Sequence, residues 1–161
     1  MSFSKGRIGE DFAKGVLESC GIKCSKNDDY EKRYDYDLEC KVGRKYFTIE
    51  VKYDYKAEET GNIAIEHHNT KVDRPSGITA TKADLWVYVL GTGDKLNAWV
   101  VKSQSLKSFL EEVPPFKEVV YGGDNNAALY IYKKEDILGP LFIRMDDLEE
   151  DGLKTLIKGL L

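Results

Sequence analysis

The stretch YDYDLECKVGRKYFTIEVKYD, residues 34–54, constrains the fold of this chain more than any other. Two runs with alternating side chains, roughly Asp37–Val42 and Lys45–Tyr53, meet at a tight turn containing Gly43. That pattern specifies a β-hairpin. The two-residue period sends Phe47, Ile49 and Val51 to one face of the second strand and Thr48, Glu50 and Lys52 to the other. The first set is a core face. A glutamate and a lysine in the second set are more than a filling strand needs, although solvated strand faces carry such pairs constantly.

The rest of the chain supplies the partners for this hairpin. Residues from Ser4 to about Cys20 have Ile8, Phe12, Val16 and Leu17 at helical spacing, with Gly21 as the stop. Ile22–Ser25 reads as a short strand, Asn27–Arg33 as a loop and Asn62–Glu66 as a short alternating segment. His67–Ile78 reads as a polar loop closed by Pro75-Ser76-Gly77. LWVYVL (85–90) is a buried strand with LNAWVV (96–101) beside it. Ser103 is placed to cap a helix through Glu112, with Leu106, Phe109 and Leu110 inward, and Pro114-Pro115 ends it. Strands near Lys117–Tyr121 and Ala128–Lys133 flank the turn at 122–126, and Asp146–Leu161 reads as a helix. Strands and helices mixed in this way give an α/β (α+β) class. No repeat or linker divides the 161 residues, so a single domain is expected.

Composition excludes little beyond membrane and disulfide scaffolds. No apolar run is long enough to span a bilayer, and the N-terminus lacks a secretory signal, so a cytoplasmic location is expected. The odd cysteine count, Cys20, Cys24 and Cys40, points to reduced and mostly buried thiols. The net charge of −4 lies wholly in the second half: residues 1–82 hold 15 basic and 15 acidic side chains, and 83–161 hold 9 and 13. A local basic patch in the first half is therefore compatible with an acidic whole.

Company gives Glu50 and Lys52 a meaning. Asp37 opens the strand that hairpins into theirs, so matching parity would bring Asp37, Glu50 and Lys52 to one patch. Two hard carboxylates on adjacent strands suit Mg²⁺, which leaves its other positions to water and phosphate. A lysine two residues on can orient a water and counter developing phosphate charge.

In this order Asp37-Leu38, a hairpin and Glu50-Val51-Lys52 resemble the motif of the PD-(D/E)XK nucleases, the superfamily of restriction endonucleases and archaeal Holliday-junction resolvases. The stretch RPSGITATKADLWVYVL (74–90) also looks like small phage-encoded proteins of that superfamily. The likeness spans about residues 5–90, with 95–161 completing the fold. It implies a restriction-endonuclease-like mixed central sheet flanked by helices. It also implies a glutamate on the preceding helix, for which GRIGEDFA supplies Glu10, in line with Ala13 and Leu17 at the margin of the apolar stripe. Glu66 matches the acid or amide that many members carry after the lysine strand.

The activity implied is Mg²⁺-dependent hydrolysis of DNA phosphodiester bonds, with Mn²⁺ able to substitute. Asp37, Glu50, the Val51 carbonyl and Glu10 would hold metal, and Lys52 would position the attacking water. A homodimer or higher homo-oligomer is expected, acting in the cytoplasm of the cell or of a phage host. Site-specific homing or restriction cleavage is favoured over resolution of branched DNA, and a non-catalytic nucleic-acid-binding protein of the same fold is the rival class. The family's proline is absent, since Tyr36 precedes Asp37. Asp35 and Glu39 share the parity of Asp37 and compete for its place.

Lys32 and Arg33, just before the first strand, are candidate DNA contacts, with Lys26 and Tyr34 beside them. Asn69, Lys71, Arg74, Ser76 and Lys82 form a second polar segment rich in phosphate-binding groups. His67 and His68, adjacent on one run, face opposite ways and make no two-ligand grip. Trp86 and Trp99 read as core.

Overall fold

In the computed structural model, residues 3–121 and 126–161 are described. The turn expected at 122–126 therefore lies outside them, Asn126 excepted. Helix α1 (Phe3–Ser19) leads into β1 (Lys23–Lys26), and the hairpin follows as β2 (Leu38–Val42) and β3 (Lys45–Asp54). Leu38 stands opposite Ile49 and Val42 opposite Lys45. Gly43 takes a positive φ of 61° at the turn, where a Cβ would be strained.

After the single turn α2 (Ala57–Thr60) come β4 (Asn62–Asn69) and the short β5 (Arg74–Pro75). The buried strand is β6 (Leu85–Leu90), followed by β7 (Asn97–Lys102) and α3 (Ser103–Glu112). The chain closes with β8 (Lys117–Val120), β9 (Ala127–Lys133), the turn α4 (Lys134–Ile137), β10 (Ile143–Arg144) and α5 (Glu150–Leu160). Among the described residues no helix is long and apolar enough to cross a membrane.

Two sheets result. The first runs β1-β2-β3-β6-β7-β10 and the second β5-β4-β9-β8. The first sheet is mixed because β3 and β6 are parallel, with Glu50 beside Trp86 and Lys52 beside Tyr88. One face carries Leu38, Ile49, Val51, Leu85, Val87 and Val89 and is covered by Ala13 and Leu17 of α1 and by Leu153 and Ile157 of α5. The other carries Trp86, Tyr88 and Leu90 and packs on Ile63 and Ile65 of β4, Tyr132 of β9 and Leu106 of α3. Glu50 and Lys52 share this second face, so they lie on the side where the two sheets meet.

Several local readings change. β4 continues through His67, His68 and Asn69, where a loop was expected. Its backbone is held by β9, with a bulge between Glu66 and His68. Polar side chains give no alternation to read, yet the ladder satisfies the backbone regardless. Ser103 is not a cap: α3 follows β7 without a gap, the Ser103 N–H donates to the Asp84 carbonyl at 3.0 Å, and its hydroxyl is buried with no partner among the described residues. The last helix starts at Glu150 rather than Asp146. The Asp146 carboxylate accepts the Ala98 N–H at 2.9 Å and an Arg144 N–H at 3.1 Å, and so ties residues 144–146 beside β7. Trp86 is fully buried, whereas Trp99 is half-buried.

Candidate active site

Asp37, Glu50 and Lys52 meet where β2 parts from β3. The ladder keeps Leu38 opposite Ile49, but the Asp37 N–H donates to the Ile49 carbonyl at 2.9 Å, one residue out of that register. Beyond this point, among the described residues, β3 has no strand paired on that edge, and the Asp37 side chain takes over. One of its carboxylate oxygens accepts the Val51 N–H at 2.8 Å. In an extended residue the N–H and C=O lie along one edge, so the Val51 carbonyl shares the edge that Asp37 occupies. Glu50 and Lys52 come from the adjacent positions on the sheet face, with the Lys52 ammonium 3.3 Å from a Glu50 oxygen. The same ammonium stands 5.6 Å from the centre of the Trp86 ring, the apolar floor of the site.

Glu10 arrives from the other layer. Helix α1 crosses β3 so closely that a Cβ on Gly9 would lie 2.8 Å from the Cβ of Tyr53. A glycine is needed there for close approach, and it lets the next residue reach Asp37. Glu10 is near enough to Asp37 for the Asp37 charge to act on it. It also faces Lys26, whose ammonium is 3.8 Å from Glu10 and 2.6 Å from Asp11. Glu66 approaches from β4, close enough for its charge to act on Lys52. Its placement depends on Gly77, φ 54°, because a Cβ there would meet the Glu66 carbonyl oxygen. The Tyr88 hydroxyl donates to the Ala64 carbonyl and fastens β4 to the first sheet two residues away.

The electrostatics follow from crowding. Burial first, then the charge of Asp37, pushes Glu10 up to about 7. Burial also lifts Glu50 to about 7, with Lys52 opposing and Asp37 adding to the rise. Asp37 is raised by burial as well, against the stabilising Val51 hydrogen bond and the Lys52 charge. Burial works against the Lys52 charge, but Glu50, Glu66 and Asp37 outweigh it and lift the ammonium above its ordinary value. Carboxylates raised by burial and by one another's charge make a site that a cation would relieve.

The donor set fits a hard divalent ion: carboxylate oxygens of Glu10, Asp37 and Glu50 and the backbone oxygen of Val51. Among the described residues no three acidic, histidine or cysteine side chains are already closed around one ion position. Asp37 is turned to Val51 and Glu50 to Lys52.

The competitors of Asp37 stand elsewhere. Asp35 is 3.7 Å from the Lys82 ammonium, and Glu39 is exposed opposite Thr48. The candidate contact residues fall into two groups. Lys32, Arg33 and Lys82 lie around the approach to Asp37. Arg33 stacks on Tyr30 and Tyr34 at 3.7 and 4.6 Å, and the Lys82 N–H donates to the Asp35 carbonyl at 3.1 Å. Asn69, Lys71, Arg74 and Ser76 lie beyond Glu66 around the β4–β5 turn. Asn69 spends its side-chain oxygen on the N–H groups of Lys71 and Val72, and the Ser76 hydroxyl is buried. Lys71 and Arg74 are exposed.

His67 stacks on Tyr130 at 3.8 Å and bonds Glu118, while His68 bonds Asp73. Sequence reading missed the parts played by Gly9, Gly77 and Trp86. A glycine on the helix face that carries Ala13 and Leu17 was the one available signal, for Gly9.

No protein-family model matches the sequence, and no curated protein is significantly similar to it. Among solved structures, the chain is similar to a bacterial homing endonuclease, I-Ssp6803I, at 20% identity and a TM-score of 0.53. The match covers 81% of this chain and 78% of that one. At that identity the likeness is one of fold: the mixed sheet with its flanking helices is the architecture of that endonuclease.

Proposed function

We propose that this protein is a metal-dependent DNA endonuclease that hydrolyses phosphodiester bonds at defined duplex sites, in the manner of homing or restriction enzymes. The observation that carries this reading is the convergence of Glu10, Asp37, Glu50 and Lys52 at the parting of β2 and β3. The fold shared with a homing endonuclease supports the site-specific reading over branched-DNA resolution.

In this reading Asp37, Glu50 and the Val51 carbonyl would hold Mg²⁺ or Mn²⁺, with Glu10 and Glu66 as the further carboxylates of the site. A bound divalent ion supplies Lewis-acid stabilisation of phosphate charge and a more acidic water. Lys52 holds the attacking water by its ammonium group and offsets charge that develops on the phosphate. Glu50 keeps that ammonium in place through their ion pair, and the Trp86 ring shields one side from solvent. Lys32, Arg33, Lys71, Arg74 and Lys82 contact the DNA backbone, and two copies of the chain serve the two strands.

A cleavage panel tests this: supercoiled, linear, single-stranded and four-way-junction DNA, each with Mg²⁺, Mn²⁺ or a chelator. Metal-dependent cutting of duplex at discrete positions is expected. Preference for the junction would favour a resolvase, and no cutting of any substrate would contradict the proposal.

A further inference from the structure

The strands β1 and β2 set Cys24 directly opposite Cys40. Three steps along the same ladder, Asn27 stands opposite Asp37 and donates its N–H to the Asp37 carbonyl at 2.9 Å. Antiparallel pairs alternate between hydrogen-bonded and non-hydrogen-bonded, so Asn27–Asp37 is of the first kind and Cys24–Cys40 of the second. Opposed residues of the second kind bring their Cα atoms to about 4.5 Å and their side chains closest together. That separation lies inside the span a disulfide bridges, roughly 4.4–6.8 Å between Cα atoms.

The two thiols differ in access. Cys24 is on an edge strand and half-buried, whereas Cys40 is 2% exposed. Cys20, the third, sits at the end of α1 with its sulfur 3.9 Å from the Leu148 carbonyl. Contact with Cys24 and then burial push the Cys40 thiol well up, so in the reduced protein Cys40 stays protonated.

We infer that Cys24 and Cys40 are a site of reversible disulfide formation, with Cys24 attacking and Cys40 resolving. The oxidant is a small disulfide such as glutathione disulfide. The Cys24 thiolate attacks one sulfur of the oxidant, whose S–S bond breaks and releases one glutathione. Once Cys24 is in the mixed disulfide, its thiol no longer raises Cys40, and the Cys40 thiol gives up its proton as its sulfur attacks the Cys24 sulfur and releases the second glutathione. The two cysteines lose two electrons, the oxidant gains them, and the two thiol protons pass to the departing thiolates. The bond closes a ring from residue 24 to residue 40, which contains Asp37, Lys32 and Arg33. Oxidation therefore pins the strand pair that presents the first carboxylate of the candidate site. The inference rests on strand register and is independent of the proposed cleavage activity.

Folded protein treated with glutathione disulfide, without denaturant, tests it. The expected product has one titratable thiol in place of three and has lost the mass of two hydrogens. Peptide mapping joins Cys24 to Cys40, and the melting midpoint rises and is restored by dithiothreitol. Cys20→Ser forms the same link, and Cys24→Ser forms none. Retention of all three thiols, a lasting glutathione adduct on Cys24, or a link that includes Cys20 would overturn the inference.

Discussion

The carboxylate of Asp37 accepts the backbone N–H of Val51 at 2.8 Å, across the gap that opens where their two strands separate. This bond does for β3 what β2 no longer does, and it fixes a carboxylate on the edge that carries the Val51 carbonyl. A structural role alone would be met by an amide. Asp37→Asn keeps an acceptor for Val51 and removes the charge, so it should leave the fold intact and reduce DNA cleavage by at least about a hundredfold. Asp35→Asn and Glu39→Gln should stay within a fewfold of the parent. Cleavage rates for the three variants check this; loss of activity in Asp35→Asn with retention in Asp37→Asn would move the site.

Gly9 and Gly15 make a matched pair on one helix. A Cβ at Gly9 would press on Tyr53 at 2.8 Å, while one at Gly15 meets nothing within 4 Å. Gly9→Ala should cost on the order of 1–3 kcal/mol through overpacking and should lower activity by displacing Glu10. Gly15→Ala should stabilise by up to about 1 kcal/mol with activity unchanged. Urea denaturation of both proteins decides it, and a Gly9→Ala variant as stable and active as the parent would contradict the close approach.

The carboxylate cluster sets a pH dependence. In the unfolded chain Glu10 and Glu50 titrate near 4.5, and in the folded protein near 7. The folded form binds their protons more tightly. Their contribution to stability is therefore full below about 4.5 and is lost as pH rises through about 7. Glu50→Gln carries no charge to lose. It should exceed the parent in stability by roughly 1–3 kcal/mol at about pH 8, with the difference vanishing toward about pH 4.5. Denaturant midpoints across that range report it, and a difference that grew toward acid would reverse the sign.

Millimolar Mg²⁺ or Mn²⁺ should raise the melting midpoint of the parent at about pH 8, because a ligand of the folded form alone stabilises it. The shift should shrink in Glu50→Gln and Asp37→Asn. Equal shifts in all three proteins would place the metal elsewhere.

The hairpin was legible in the sequence because its face alternation and Gly43 both specify it, and one period is enough to put Glu50 and Lys52 opposite Ile49. Glu10 was singled out by the resemblance, since its place in line with Ala13 and Leu17 suits an ordinary surface acid equally well. The second sheet was not. His67, His68 and Asn69 have no apolar rhythm, and β4 extends through them because β9 supplies backbone partners from 60 residues away in the chain. Gly9 and Gly77 act by what they leave out, so only the packing shows why a side chain cannot stand there. Ser103 has a capping side chain, but its N–H is already taken by Asp84, a contact that only the antiparallel pairing of β6 with β7 creates.

The central claim is that Lys52 serves cleavage rather than the fold. Its ammonium is held at 3.3 Å from Glu50 on the face that Asp37 completes. Cleavage of a supercoiled plasmid by Lys52→Ala, against parent protein of equal thermal stability and DNA affinity, measures this directly. The account predicts loss of cutting by at least about a hundredfold with folding and DNA binding retained; full cutting by a folded Lys52→Ala protein would contradict it.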